Sequence, residues 1–123
     1  MQNLKSKLKT DLKKRCFLLS LEIIKLVDSL PNSRSCWVIG DQVMRSGTSI
    51  GANLIEGSAA SSRREFKKFH EISLKSANET IYWLQLLVFS HKLPKSKLQP
   101  VLDETTQISK MLAAGILRLK GKR

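Results

Sequence analysis

From Leu4 to Leu30 the apolar side chains recur every three or four residues: Leu4, Leu8, Leu12, Cys16, Leu19, Ile23, Leu26 and Leu30. That step follows the turn of an α-helix and sets all of them on one face. A half-buried strand needs alternation at a period of two, and no such alternation competes anywhere along the chain. The periodicity predicts a first helix over about residues 5–30, roughly 37 Å long at 1.5 Å per residue. Pro31-Asn32 ends it, because proline has no N–H with which to continue the ladder. A second helix is expected from about Ser35 to Gly57, where glycine suits a left-handed cap. Ser62-Arg63-Arg64-Glu65 has the spacing of a capping box. It opens a third helix, about residues 62–92, that runs through Phe66, Phe69, Ser73, Ala77, Ile81, Leu84 and Val88 until Pro94 breaks it. Ser96 with Gln99 offers another capping box, and Pro100 fits the first turn of a fourth helix over about 97–120. Leu102, Ile108, Leu112, Ile116 and Leu119 carry its apolar side.

Long helices joined by short connections favour antiparallel neighbours. The expected fold is all-α, an antiparallel up-down-up-down four-helix bundle, as a single domain over residues 1–123. A chain of 123 residues can bury about two-thirds of its unfolded surface. At 41% hydrophobic residues it has the apolar surface to offset chain entropy, which excludes disorder. Six Gly and three Pro are too few for a turn-rich β sandwich. No apolar run approaches about 18 residues, so no membrane span is expected. The basic start from Lys5 to Arg15 is followed only by Cys16–Leu21 before Glu22 interrupts, too short for a secretory signal core, and a cytoplasmic protein is expected. The spacing of Cys16 and Cys36 matches no zinc ligand set, so both are expected as small core hydrophobes.

Charge is the second strong feature. The chain carries 22 Lys+Arg against 10 Asp+Glu, a net charge of +12. In an up-down bundle the start of the first helix, the loop between the second and third, and the end of the fourth share one end. Fourteen of the 22 basic residues fall on those segments: Lys5, Lys7, Lys9, Lys13, Lys14, Arg15, Arg63, Arg64, Lys67, Lys68, Arg118, Lys120, Lys122 and Arg123. Asp11, Glu56 and Glu65 are the acids nearby. Cations at the end of the fourth helix complement its dipole. Those at the starts of the first and third oppose it, each at a cost on the order of 0.3–1 kcal/mol when exposed. A pattern that works against local stability points to an external polyanion. The candidate nucleic-acid-binding residues are Lys9, Lys13, Lys14, Arg15, Arg63, Arg64, Lys67, Lys68, Arg118 and Lys120. The chain has no recognition-helix, zinc-finger or aromatic RNA-binding signature, so RNA or DNA would be held mainly by its phosphates, with strong salt dependence and little sequence readout. A solvated basic surface that only aids solubility, and an anionic membrane surface, are the competing readings.

The second helix is unusual. Gln42, Arg45, Ser49, Asn53 and Glu56 step by three or four and occupy a stripe about 80° wide. Ile39, Val43, Ile50 and Leu54 lie on the neighbouring face, and Gly40, Gly47 and Gly51 beyond it. Ser46–Gly51 is a poor helix former, since each Gly costs up to about 1 kcal/mol relative to Ala. Close packing by another helix is the expected compensation. Arg45 with Ser49, and Asn53 with Glu56, are expected to form a hydrogen-bonded network or subunit contact at that seam. A polar ligand site is the functional alternative. In the third helix eight of the nine residues from Ile81 to Phe89 are apolar. One face of a monomeric bundle cannot hide them all, which suggests contacts between copies, hence a homo-oligomer.

Catalytic chemistry is not in evidence. Gly47–Gly51 is followed by no Gly-Lys-Ser/Thr, so it is no phosphate loop. His70 and His91 have no Glu three residues earlier, as a di-iron bundle would require. No enzyme activity, catalytic residue, cofactor or metal is expected.

The string Arg45-Ser46-Gly47-Thr48-Ser49-Ile50-Gly51-Ala52-Asn53-Leu54-Ile55-Glu56-Gly57 resembles the signature of the four-helix-bundle family named for 23S ribosomal RNA intervening-sequence proteins. Ser61-Ser62-Arg63-Arg64-Glu65-Phe66, Ala77-Asn78-Glu79-Thr80 and Tyr82-Trp83-Leu84 are similar to its third helix, and the likeness covers about residues 8–119. The resemblance implies a bundle that assembles into a five-fold ring. It also implies kinship with the accessory variability determinant of diversity-generating retroelements, a basic bundle that binds a reverse transcriptase and nucleic acid, and so a protein partner of that kind. The family's recurring Arg, Ser, Asn and Glu fall on Arg45, Ser49, Asn53 and Glu56, and its Glu-Phe pair on Glu65-Phe66. Many relatives have a Gly in the middle of the third helix, where this chain has Lys75. The resemblance carries over no catalytic residue.

Overall fold

Prolines, serine caps and one left-handed residue divide the chain into four helices: α1 (Leu4–Asp28), α2 (Arg34–Ser58), α3 (Arg63–Phe89) and α4 (Lys95–Leu119). The computed structural model describes residues 4–121, with side chains from Leu12 onward. The Ser33 hydroxyl accepts from the Cys36 N–H at 3.4 Å and starts α2. Ser62 accepts from the Glu65 N–H at 3.1 Å and starts α3. The Glu65 carboxylate reaches back to the Ser61 N–H at 3.1 Å, one residue before the position it takes in a regular capping box. At the end of α3 the Lys92 N–H donates to the Leu87 carbonyl and the His91 N–H to that of Val88. These are the two bonds of a Schellman motif, with His91 (φ 56°) where glycine usually stands.

Helix α3, expected to run to about Lys92 until Pro94 breaks it, stops at Phe89, because the left-handed His91 turns the chain first. Two further helix ends differ from the sequence expectation. Gly57 is no left-handed cap: α2 continues to Ser58 and ends on Ala59 at φ −95°. Gly57 is buried instead where a Cβ would come within 3.0 Å of the Phe69 Cβ, so it admits the close approach of α3. The expected Ser96–Gln99 capping box is also absent. Pro94, with φ −57° already suited to a helix, precedes α4, and no side chain caps it. Ser96 therefore lies inside the helix, Gln99 donates to Asp103 at 2.8 Å, and Pro100 forgoes one ladder bond near the start.

Cross-helix contacts run in reversed order, which makes the bundle antiparallel. On α1 and α2, Cys16 faces Gly51, Ile23 faces Gly47, and Leu30 faces Gly40. On α2 and α3, Ser46 meets Thr80 at 2.8 Å and Ser49 meets Ser76 at 3.0 Å. On α3 and α4, Asn78 meets Ser109 at 2.8 Å, while Glu71 faces Lys120. Each helix packs on its two neighbours around the ring, α1 closes on α4, and the diagonal pairs keep their backbones apart. The centre is filled by Cys16, Ile23, Val43, Ile50, Leu84, Leu87, Leu98 and Ile108, all fully buried. Cys16 and Cys36 are buried free thiols. Burial, reinforced by the nearby Glu104 carboxylate, pushes the Cys16 thiol up to about 12, so it stays an apolar core group. Among the described residues no helix is long and apolar enough to cross a membrane.

Glycine flank and polar stripe turn out to face different partners. Gly40, Gly47 and Gly51 admit α1, whereas Ser46 and Ser49 face α3. A Cβ on Gly47 would fall 2.3 Å from the Ile23 Cδ1 and one on Gly51 3.2 Å from the Cys16 Cβ. Close packing therefore compensates the poor helix-forming string, as its composition requires.

Candidate nucleic-acid interface

The antiparallel order sets the start of α1, the start of α3 and the end of α4 at one pole. Contacts make this concrete. Arg63 donates from Nη2 to the Leu119 carbonyl at 3.2 Å, using a carbonyl that the last turn of α4 leaves open. Lys120 lies 4.0 Å from the Glu71 carboxylate. Leu12 and Lys13 of α1 line a pocket together with Leu54 and Ser58 of α2 and Phe66 and His70 of α3.

The sequence-derived cations divide by what they touch. Arg15 turns into the α1–α4 seam: Nε and Nη2 grip both Glu104 oxygens at 2.8 and 2.7 Å, and Nη1 lies 3.3 Å from the Met111 sulfur. It is neutralised there. Lys67 pairs with Glu71 at 3.6 Å, and Lys120 approaches the same carboxylate from α4. Glu71 is an acid that the sequence reading leaves out of this end. Lys14, Arg63, Arg64, Lys68 and Arg118 are exposed and Lys13 half-buried, and none has a carboxylate partner among the described residues. The side chains of Lys5, Lys7, Lys9 and Asp11, together with Lys122 and Arg123, lie outside the described residues. Arg64, Lys67 and Lys68 also border a recess of about 480 Å³ along the first turns of α3, with Phe69 among its walls. Arg63 and Arg64 stand in the first turn of α3, beside N–H groups that already carry the positive end of its dipole. Glu65 shares that turn, and Glu65 and Glu71 line the recess beside the cations, so acidic side chains offset part of the positive charge there.

The polar stripe of α2 is organised differently. Arg45 donates twice to the Gln42 side-chain oxygen, at 3.2 and 2.7 Å, and crosses to the Glu79 carboxylate of α3. Trp83 Nε1 donates to the same carboxylate at 3.0 Å. That bond is the main cause holding the Glu79 carboxyl below the usual carboxylate range, with Arg45 and Lys75 adding to it against partial burial. Asn53 donates to the Ser49 carbonyl at 2.8 Å and to its hydroxyl at 2.9 Å. The expected Arg45–Ser49 and Asn53–Glu56 links are not made, because Arg45 finds a carboxylate on α3 and Asn53 finds the turn before it. The Glu56 carboxylate is exposed and unbonded among the described residues. Deeper in the seam the Thr80 hydroxyl donates to the Ser76 carbonyl at 2.7 Å and is bonded to the Ser46 hydroxyl at 2.8 Å, and Ser73 donates to the Ile50 carbonyl at 2.7 Å. Every buried side-chain N or O among the described residues has a partner.

Residues 9–114 match the sequence model of the 23S rRNA-intervening sequence protein family. The chain belongs to that family. It is similar to a solved structure of a protein of unknown function from the S23 ribosomal protein family of Bacteroides thetaiotaomicron, at 36% identity over 85% of this chain and 97% of that one, with a TM-score of 0.80. No curated protein matches it. In this intervening-sequence protein the family match takes in the α2 stripe and its α3 partners and stops before Arg118 and Lys120, so part of the basic pole lies beyond it. Sequence reasoning missed Glu79, Trp83, Ser76 and Thr80 as partners of the stripe. Ser73, Ser76 and Thr80 step by three and four along one face of α3, and that signal marks the surface facing α2.

Proposed function

We propose that this intervening-sequence protein is a non-enzymatic, homo-oligomeric bundle whose basic pole holds RNA or DNA by the phosphates, with little sequence readout. It would serve as an accessory to a nucleic-acid enzyme such as a reverse transcriptase. The observation that carries the reading is the convergence of Lys13, Lys14, Arg63, Arg64, Lys68 and Arg118 from three separate helices, with no carboxylate partner among the described residues. Two of them, Arg63 and Arg64, sit in the first turn of α3, where they weaken the helix that bears them, which favours a role outside the fold.

Assembly is supported by apolar residues left in the open. Phe17, Leu18, Leu21 and Ile24 on α1, and Tyr82, Leu86 and Phe89 on α3, are exposed, Phe89 at 79%. Helices α1 and α3 stand on a diagonal, so the two strips face away from each other. Strips on opposite sides suit a head-to-tail contact, which closes into a ring when the rotation allows. Five copies is the number the family resemblance suggests.

The test is direct binding of a labelled single-stranded oligonucleotide to the protein with Lys13, Lys14, Arg63, Arg64, Lys68 and Arg118 all changed to Gln. Affinity is expected to fall by at least about a hundredfold at low salt, with helicity and oligomeric mass unchanged. A purely structural or protein-interaction bundle is the second reading, favoured by the pairing of Arg15, Lys67 and Lys120 with Glu104 and Glu71. On that reading the native protein shows no salt-sensitive affinity to lose.

A further inference from the structure

At the basic pole α1, α2 and α3 leave a pocket of about 190 Å³ between them, lined by Leu12, Lys13, Leu54, Ser58, Phe66 and His70. Pockets for drug-sized ligands run to roughly 300–1,000 Å³, so this one has room for a single small ring system. Its walls suit a flat aromatic guest. Leu12 and Leu54 are aliphatic, and the rings of Phe66 and His70 lie 4.2 Å apart at a 44° tilt. The His70 Nδ1 is 3.1 Å from the Phe66 carbonyl, which fixes that ring against the helix. Polar atoms reach the lining at two places. Lys13 brings an ammonium group, and Ser58 brings a hydroxyl that donates to the Leu54 carbonyl at 3.0 Å and keeps its lone pairs for an incoming donor. In the sequence Phe66 stands between Arg63-Arg64 and Lys67-Lys68, so the aromatic wall is set among the pole's cations.

We propose that this pocket takes one unstacked base of a single-stranded RNA or DNA whose phosphates rest on the surrounding cations. The proposal rests on the polynucleotide reading of the pole and deepens it by naming the substrate as single strand. A base has a π-face for the Phe66–His70 wall and a polar edge for Ser58, while Lys13 lines the pocket and belongs to the cation set, so one residue serves both base and phosphate. Aromatic stacking tolerates any base, which agrees with a site that has no sequence readout. A duplex keeps its bases paired and stacked inside, so it engages the cations alone.

The experiment compares two single-stranded oligonucleotides of equal length and charge, one with every base present and one carrying several abasic sites, binding to the full-length protein at several salt concentrations. The intact strand is expected to bind about tenfold more tightly, and a 2-aminopurine placed within it to change its fluorescence on binding. In Phe66→Leu, which keeps the apolar volume and removes the stacking ring, that preference is expected to vanish while the salt dependence persists. Should Phe66→Leu fail to fold, the two strands on the native protein decide alone. Equal affinities with steep salt dependence would overturn the pocket and leave the phosphate-binding pole standing. Absence of binding at every salt concentration would overturn both.

Discussion

The seam between α2 and α3 and the pole where α1, α3 and α4 converge are both dense in polar side chains. In the seam the buried and half-buried groups meet partners from the facing helix or a neighbouring turn: Thr80 meets Ser46, Ser76 meets Ser49, and Glu79 meets Arg45 and Trp83. At the pole, among the described residues, Arg15, Lys67 and Lys120 have carboxylates near, while Lys13, Lys14, Arg63, Arg64, Lys68 and Arg118 have none. A polar group satisfied inside a protein contributes to holding one particular packing. A cation on the positive end of a helix does the reverse, and on the proposed function its use lies with a ligand. On the proposed function, the two regions separate what the bundle needs to fold from what it offers to a partner.

Variants can break that separation. The largest effect on stability is expected from Thr80→Val, which keeps the shape but removes the hydroxyl bonded at 2.8 Å to that of the fully buried Ser46. Leaving a buried hydroxyl short of its partner costs about 1–3 kcal/mol, read as a lower denaturation midpoint, with nucleic-acid affinity unchanged in the folded protein. An equal loss of affinity would show that the two regions are coupled. Next is Glu79→Gln, which weakens the hold on both Arg45 and Trp83 near the surface and is expected to cost about 1 kcal/mol or less. Its pH dependence sharpens the point. The folded Glu79 pKa is depressed, so the unfolded chain binds the proton more readily, and the stabilisation is present above the unfolded carboxyl range and lost as pH falls through the lower folded value. Native protein should therefore lose stability on acidification more steeply than Glu79→Gln, and identical slopes would remove Glu79 from the account. The smallest effect belongs to the pole. Arg64→Gln lifts a cation from the first turn of α3 and should raise the melting temperature slightly, by an amount equivalent to a few tenths of a kcal/mol, while weakening oligonucleotide binding. A change that lowers both would mean that Arg64 supports the fold.

Much of this architecture is legible in the sequence, because it rests on local rules. The heptad-like run from Leu12 to Leu26 buries Cys16, Leu19, Ile23 and Leu26 as its spacing requires, and Pro31 and Pro94 fall between helices. The shared pole follows from topology alone. What escaped the sequence depends on a neighbour distant in the chain. Gly57 resembles a cap by position, yet Phe69 decides its role. Pro100 falls in the second turn of α4 and not its first, because Pro94 starts the helix two residues earlier than the Ser96 signal suggests. Glu71 and Glu104 look like ordinary surface acids until the fold sets Lys67, Lys120 and Arg15 against them. For the same reason the stripe on α2 showed that a partner was needed but not that Glu79 and Trp83 would supply it.

The central claim, that the pole is built for a polyanion, is met most directly by the slope of oligonucleotide affinity against salt concentration. Each phosphate engaged on a single strand contributes about −0.7 to the slope of log affinity against log salt. The native protein is therefore expected to show a slope several times that value. The protein with Lys13, Lys14, Arg63, Arg64, Lys68 and Arg118 changed to Gln should show a much shallower one. A native slope that is itself near zero, or one that survives those substitutions intact, would contradict the account.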